Sequence, residues 1–140
     1  MLPPKIRVLI IDDSAIARNT LSRILESDPE IQVVGTAPDA LIGLRKINEC
    51  LPDVLTLDVE MPKMDGLTFL DRLMSSKPMP VVMVSAYTTE GSETAMKALE
   101  LGALEIIEKP RIDVSTGLDE CLHGVKMPMT CGQDKCCESI

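Results

Sequence analysis

Four short apolar runs in this chain each end abruptly at a polar side chain, and the segments between them carry helical spacing. Arg7-Val8-Leu9-Ile10-Ile11 meets Asp12-Asp13, and Val54-Leu55-Thr56-Leu57 meets Asp58. Val81-Val82-Met83-Val84 stops at Ser85, and Leu104-Glu105-Ile106-Ile107-Glu108 stops at Lys109. The runs starting at Arg7, Val54 and Val81 are continuously apolar, which suits central strands buried on both faces. That pattern leaves few folds open.

The intervening segments alternate regularly. Ser14 caps a helix over residues 14–26 with Ala17, Leu21, Ile24 and Leu25 on one face, and Asp28-Pro29 ends it. A second short strand is expected over 31–35. Pro38-Asp39 opens a helix carrying Leu41, Leu44 and Ile47. After Asp58, Met61-Pro62-Lys63-Met64-Asp65-Gly66 is a turn-rich loop, followed by a helix with Leu67, Leu70, Leu73 and Met74. Gly91-Ser92 starts a helix that turns Met96 and Leu99 inward and ends at Gly102, a left-handed cap. A weaker last helix is expected over 115–126. The sum is an α/β fold of three layers, a flavodoxin-like (βα)5 doubly wound parallel sheet in the order 2-1-3-4-5. Residues 6–126 form the domain; 127–140 form a cysteine-containing tail.

Composition narrows the function. With 45% apolar residues, 140 residues fill one core. Phe69 and Tyr87 are the only aromatics, so that core is aliphatic and methionine-rich, and base stacking on single-stranded nucleic acid is disfavoured. A formal net charge of −8 without a basic patch argues against nucleic-acid partners altogether. The first apolar run is cut short by two aspartates, too early for a signal sequence or a membrane span, so no membrane insertion and a cytoplasmic location are expected. Cys121, Cys131, Cys136 and Cys137 crowd the end in a spacing that fits no common zinc pattern, and reduced thiols are the expectation.

The chemistry follows from the ends of the strands. In an open parallel sheet the ligand site lies at the carboxyl edge, where Asp12, Asp13, Asp58, Ser85 and Lys109 would converge. Singly, each has an ordinary reading: a helix cap, a strand-end aspartate or serine, a surface lysine. Together they make a phosphoryl-acceptor site. Packed carboxylates repel and call for a cation, and Mg²⁺ suits them as a small hard ion that also bridges to phosphate oxygens. Asp58 is the candidate nucleophile, Lys109 the ammonium that neutralises a phosphoryl oxygen, and Ser85 a hydrogen-bond donor to another.

Ile11-Asp12-Asp13-Ser14, the stretch from Leu57 to Gly66, Val84-Ser85-Ala86 and Lys109-Pro110 resemble the receiver domain of bacterial response regulators. Thr36-Ala37-Pro38-Asp39, Pro52-Asp53-Val54, Pro78-Met79-Pro80 and Ala98-Leu99-Glu100-Leu101-Gly102-Ala103 narrow the resemblance to the receiver of the chemotaxis methylesterase response regulators. The resemblance implies that Asp58 takes a phosphoryl group from a chemotaxis-type histidine kinase. Asp13, Asp58 and the backbone oxygen of Glu60 would bind Mg²⁺, with Asp12 acting through water. It further implies that Ser85 and Lys109 hold the phosphoryl oxygens, that small Ala86 leaves the group accessible, and that Lys109-Pro110 is a candidate cis peptide. Phosphorylation would switch the face spanning 85–103 to control an effector methylesterase domain or a partner protein.

Two departures stand out. Many receivers have an aromatic three residues before the lysine; here that position is Ile106, with Tyr87 as a neighbouring substitute. The family's esterase triad has no counterpart in this sequence, whose only histidine is His123 and which lacks a G-x-S-x-G elbow. A stand-alone receiver serving as phosphate sink or protein-binding switch is the alternative. A flavin module would need a Ser/Thr/Gly-rich loop where Asp12-Asp13-Ser14 stands. An aspartate-nucleophile phosphatase would need an aspartate at the position of Glu60.

Overall fold

The computed structural model describes residues 4–61, 63–85 and 92–108. Five parallel strands, β1 (Ile6–Ile11), β2 (Ile31–Ala37), β3 (Val54–Asp58), β4 (Val81–Ser85) and β5 (Glu105–Glu108), form one sheet in the order β2-β1-β3-β4-β5. The helices are α1 (Ala15–Glu26), α2 (Ala40–Cys50), α3 (Gly66–Ser76) and α4 (Glu93–Glu100). The expected flavodoxin-like order is therefore the observed one. The last helix expected over 115–126 and the tail 127–140 lie outside the described residues.

Each apolar run serves two cores because successive strand side chains point to opposite faces. Leu9, Ile11, Leu55, Leu57, Val81 and Met83 pack on one face with Ile47 of α2, Phe69, Leu70 and Leu73 of α3, and Ala98 of α4. Val8, Ile10, Val54, Val82, Val84 and Ile107 line the other with Leu21 and Leu25 of α1. All four helices start on a side-chain oxygen that accepts a backbone N–H: Ser14 from Ala17, Asp39 from Ile42, Asp65 from Thr68 and Ser92 from Ala95. Gly102 closes α4 at φ +113°, the left-handed turn expected of it.

Three expectations need correction. β2 runs to Ala37 rather than stopping at Gly35, because a bulge between Val8 and Leu9 lets the pairing with β1 continue. In α2, Leu41 is 72% exposed and Leu44 is exposed, while Ala40, Gly43 and Ile47 face the sheet. An alanine or leucine built on Gly43 would meet Ile11 Cδ1 at 2.5 Å, so the helix sits too close for a large residue on that side. In α4, Met96 (54% exposed) and Leu99 point outward, and Ala95 and Ala98 are the buried side chains. Small residues mark the sheet-facing stripe in both helices.

The β3–α3 loop holds one strained residue. Lys63 has φ +70°, a left-handed conformation that costs a residue with a Cβ roughly 1–2 kcal/mol. Its exposed side chain offers little compensation. Lys63→Gly is expected to stabilise the domain by roughly 0.5–1 kcal/mol after the entropy cost of glycine. A lowered urea midpoint in that variant would count against strain at this position.

Candidate functional site

β1 and β3 run side by side with Ile11 next to Leu57, so the following residues, Asp12 and Asp58, leave the sheet together. This is also where the strand order reverses, since α1 leads to one side of β1 and α2 to the other. Asp12 and Asp58 are each only 1% exposed, and Asp13 lies open to solvent. One carboxylate oxygen from each of the three residues lies within 4.8 Å of the others. Two carboxylates withdrawn from water beside a third are a costly arrangement that a hard cation would offset. The donors are all oxygen, the spacing fits one ion, and the open side leaves room for water and substrate, so the residues present fit Mg²⁺.

The loops around the cluster are held tightly. Asp12 Oδ1 accepts a hydrogen bond from Ser14 N (2.8 Å), and the Arg18 guanidinium donates to the Asp12 carbonyl (2.7 Å). Asp12 N donates to the Ala37 carbonyl at 3.0 Å, which ties the β1 end to β2. On the β3 side, Val59 N donates to Val84 O (3.0 Å) and Glu60 N donates to Asp58 Oδ1 (3.3 Å). Gly66 N donates to Val59 O at 2.9 Å, bringing the start of α3 against the backbone of Asp58. A Cβ at Gly66 would stand 2.2 Å from Asp58 O and 2.9 Å from Val59 Cα. Only glycine permits that approach.

Ser85 ends β4 one residue beyond Val84, the register partner of Asp58, and is 2% exposed. Its hydroxyl donates to Glu60 Oε1 at 2.8 Å. Ile106 pairs with Met83 and is half-buried against the core shared by α2, α3 and α4. The structure thus brings Asp12, Asp13, Asp58, Glu60 and Ser85 to one edge. Ala86, Tyr87, Lys109 and Pro110 lie outside the described residues. The apolar groove between α2 and α3, lined by Leu41, Leu44, Met64 and Phe69, contains none of the three clustered carboxylates.

Three contributors escaped the sequence reading: Arg18, Gly66 and the side chain of Glu60. Gly66 left a signal, because glycine as the first residue of a helix, directly after an Asp cap, sacrifices propensity for something else. Arg18 and Glu60 left none, since a charged residue on an exposed helix or loop is ordinary.

A family model for the response regulator receiver domain matches residues 8–116. The chain belongs to this receiver family. It is 57% identical over 115 residues to a protein-glutamate methylesterase/protein-glutamine glutaminase of Methylobacillus flagellatus, covering 82% of this chain and 32% of that protein. A second such protein, from Rhodospirillum rubrum, is 56% identical over 119 residues, 85% of this chain and 33% of the relative. This chain therefore spans about a third of the length of these curated relatives. Among solved structures, the response regulator domain of Thermotoga maritima CheB superposes with a TM-score of 0.82 at 39% identity, covering 90% of this chain and 97% of that one. CheY6 of R. sphaeroides, solved in complex with the P1 domain of CheA3, appears in a match with a TM-score of 0.78 at 31% identity, covering 91% and 99%. The receiver is thus of the CheB type. Among the described residues no helix is long and apolar enough to cross a membrane.

Proposed function

We propose that this receiver takes a phosphoryl group from a chemotaxis-type histidine kinase onto Asp58, with Mg²⁺, and so controls a methylesterase domain or a partner protein in the cytoplasm. The convergence of three carboxylates within 4.8 Å at the β1–β3 edge carries this reading. Asp13, Asp58 and the backbone oxygen of Glu60 would hold the ion, with Asp12 acting through water. Bound there, Mg²⁺ neutralises charge on the phosphoryl oxygens and on the attacking carboxylate.

The chain's own part is positioning. A carboxylate oxygen of Asp58 attacks phosphorus, the P–N bond to the donor imidazole breaks, and the imidazole leaves with a proton. Ser85 and Lys109 take two of the phosphoryl oxygens, and Ala86 keeps the approach open. A fixed nucleophile at a rigid strand end turns the transfer into an effectively intramolecular step. Once formed, the acyl phosphate favours conformers in which Ser85 is drawn inward and the 85–103 face rearranges. Tyr87 and Ile106 are the side chains in this reading that relay the change, in place of an aromatic at position 106. Exposed Met96 and Leu99, one helical turn apart, support α4 as part of the docking face.

Intact-mass analysis after incubation with Mg²⁺ and acetyl phosphate tests the proposal. One phosphoryl adduct is expected, and chelation of the metal should prevent it. No adduct from acetyl phosphate or from a chemotaxis kinase, with a control receiver modified in parallel, would overturn it.

A further inference from the structure

The hydroxyl of Ser85 has a single proton to donate, and it is already given to the Glu60 carboxylate at 2.8 Å. Ser85 is 2% exposed at the end of β4, whereas Glu60 belongs to the exposed β3–α3 loop, so the loop residue reaches back into the site rather than out to water. The contact is charge-assisted and links two strand ends that flank Asp58. Glu60 N simultaneously donates to Asp58 Oδ1, so backbone and side chain of one residue touch both the nucleophile and the hydroxyl. No other arrangement of Ser85 lets it serve a phosphoryl oxygen while that bond stands.

We propose that Glu60 is a positioning residue that gates phosphorylation by holding the Ser85 hydroxyl proton until the phosphoryl group displaces it. This rests on the receiver reading above. Glu60 competes as an acceptor for Ser85, so its release is part of the barrier to transfer. The same competition would return Ser85 to Glu60 once the phosphoryl group is lost, restoring the resting geometry.

A double-mutant cycle on the whole chain tests the gate. Glu60→Ala is expected to raise the rate of adduct formation with acetyl phosphate and saturating Mg²⁺ by about threefold to tenfold, the net worth of one hydrogen bond. In a Ser85→Ala background the same change should have no effect on rate. An equal acceleration in both backgrounds, or none in either, would overturn the gate, because Glu60 would then act by charge alone or not at all. A second readout needs neither metal nor phosphoryl donor. In metal-free protein, Glu60→Ala and Ser85→Ala should each lower the urea midpoint, and the double variant should fall no further than the lower single one. Additive losses would mean that the two side chains do not act as a pair. If the parent gains no adduct while the urea cycle shows coupling, the receiver reading fails and the Glu60–Ser85 contact survives without a gating role.

Discussion

Asp58→Asn should abolish the Mg²⁺-dependent adduct while leaving the domain folded. The asparagine amide keeps the shape and can still accept from Glu60 N, but it offers no anionic oxygen to attack phosphorus. Asp12 cannot substitute, because it is buried and its carboxylate is turned onto Ser14 N. Asp13 is exposed and outside the sheet. The substitution also removes one of two buried like charges within 4.8 Å of each other. At an effective dielectric of about 20 their repulsion is worth roughly 3 kcal/mol, so the metal-free variant should be no less stable than the parent. Mg²⁺ should behave in the opposite sense. At tenfold its dissociation constant it should stabilise the parent by about 1.4 kcal/mol, and much less in the variant. Thermal melts with and without Mg²⁺, paired with intact mass, check both statements. A full adduct on the Asp58→Asn protein would mean another residue is the acceptor.

Gly66→Ala should be the most damaging single methyl in the described structure. Its Cβ would lie 2.2 Å from Asp58 O, 2.9 Å from Val59 Cα and 3.0 Å from Asp58 C, all backbone atoms that no rotamer change can move aside. Relief requires α3 to back away from the β3 end, which breaks the Gly66 N to Val59 O hydrogen bond and loosens the packing of Phe69 and Leu70. A loss of about 3 kcal/mol or more is expected, at the upper end for an overpacked site. Because Asp58 itself is what the methyl pushes, the residual folded protein should also bind Mg²⁺ more weakly. Urea unfolding with an unchanged slope would measure the first effect, and Mg²⁺-dependent melts the second. A midpoint close to that of the parent would show that the loop yields freely, and the rigid placement of the nucleophile would have to be abandoned.

The helices illustrate where local pattern misleads. Leu41, Leu44, Met96 and Leu99 are apolar at helical spacing, yet they stand at the surface while Ala40, Gly43, Ala95 and Ala98 face the sheet. Hydrophobicity ranks a leucine above an alanine, but packing distance decides which one fits. α2 runs so close to β1 that a side chain at Gly43 would collide with Ile11. The displaced large residues then become surface features, and on α4 they form part of the face assigned to output.

By itself, the sequence determined the sheet, its order and the identity of the acidic residues at its carboxyl edge. Strand runs buried on both faces and ended by aspartates leave little freedom: period-two burial and right-handed crossovers dictate which ends come together. Tertiary structure alone decided how the site is held and who shares its hydrogen bonds. The contact of Gly66 with the Asp58 backbone, the clasp of Arg18 on the Asp12 carbonyl and the grip of Glu60 on Ser85 join residues whose types are commonplace at the surface. Such contacts depend on distances of a few tenths of an ångström between separate elements, and those distances exist only once the cores on both faces of the sheet have packed.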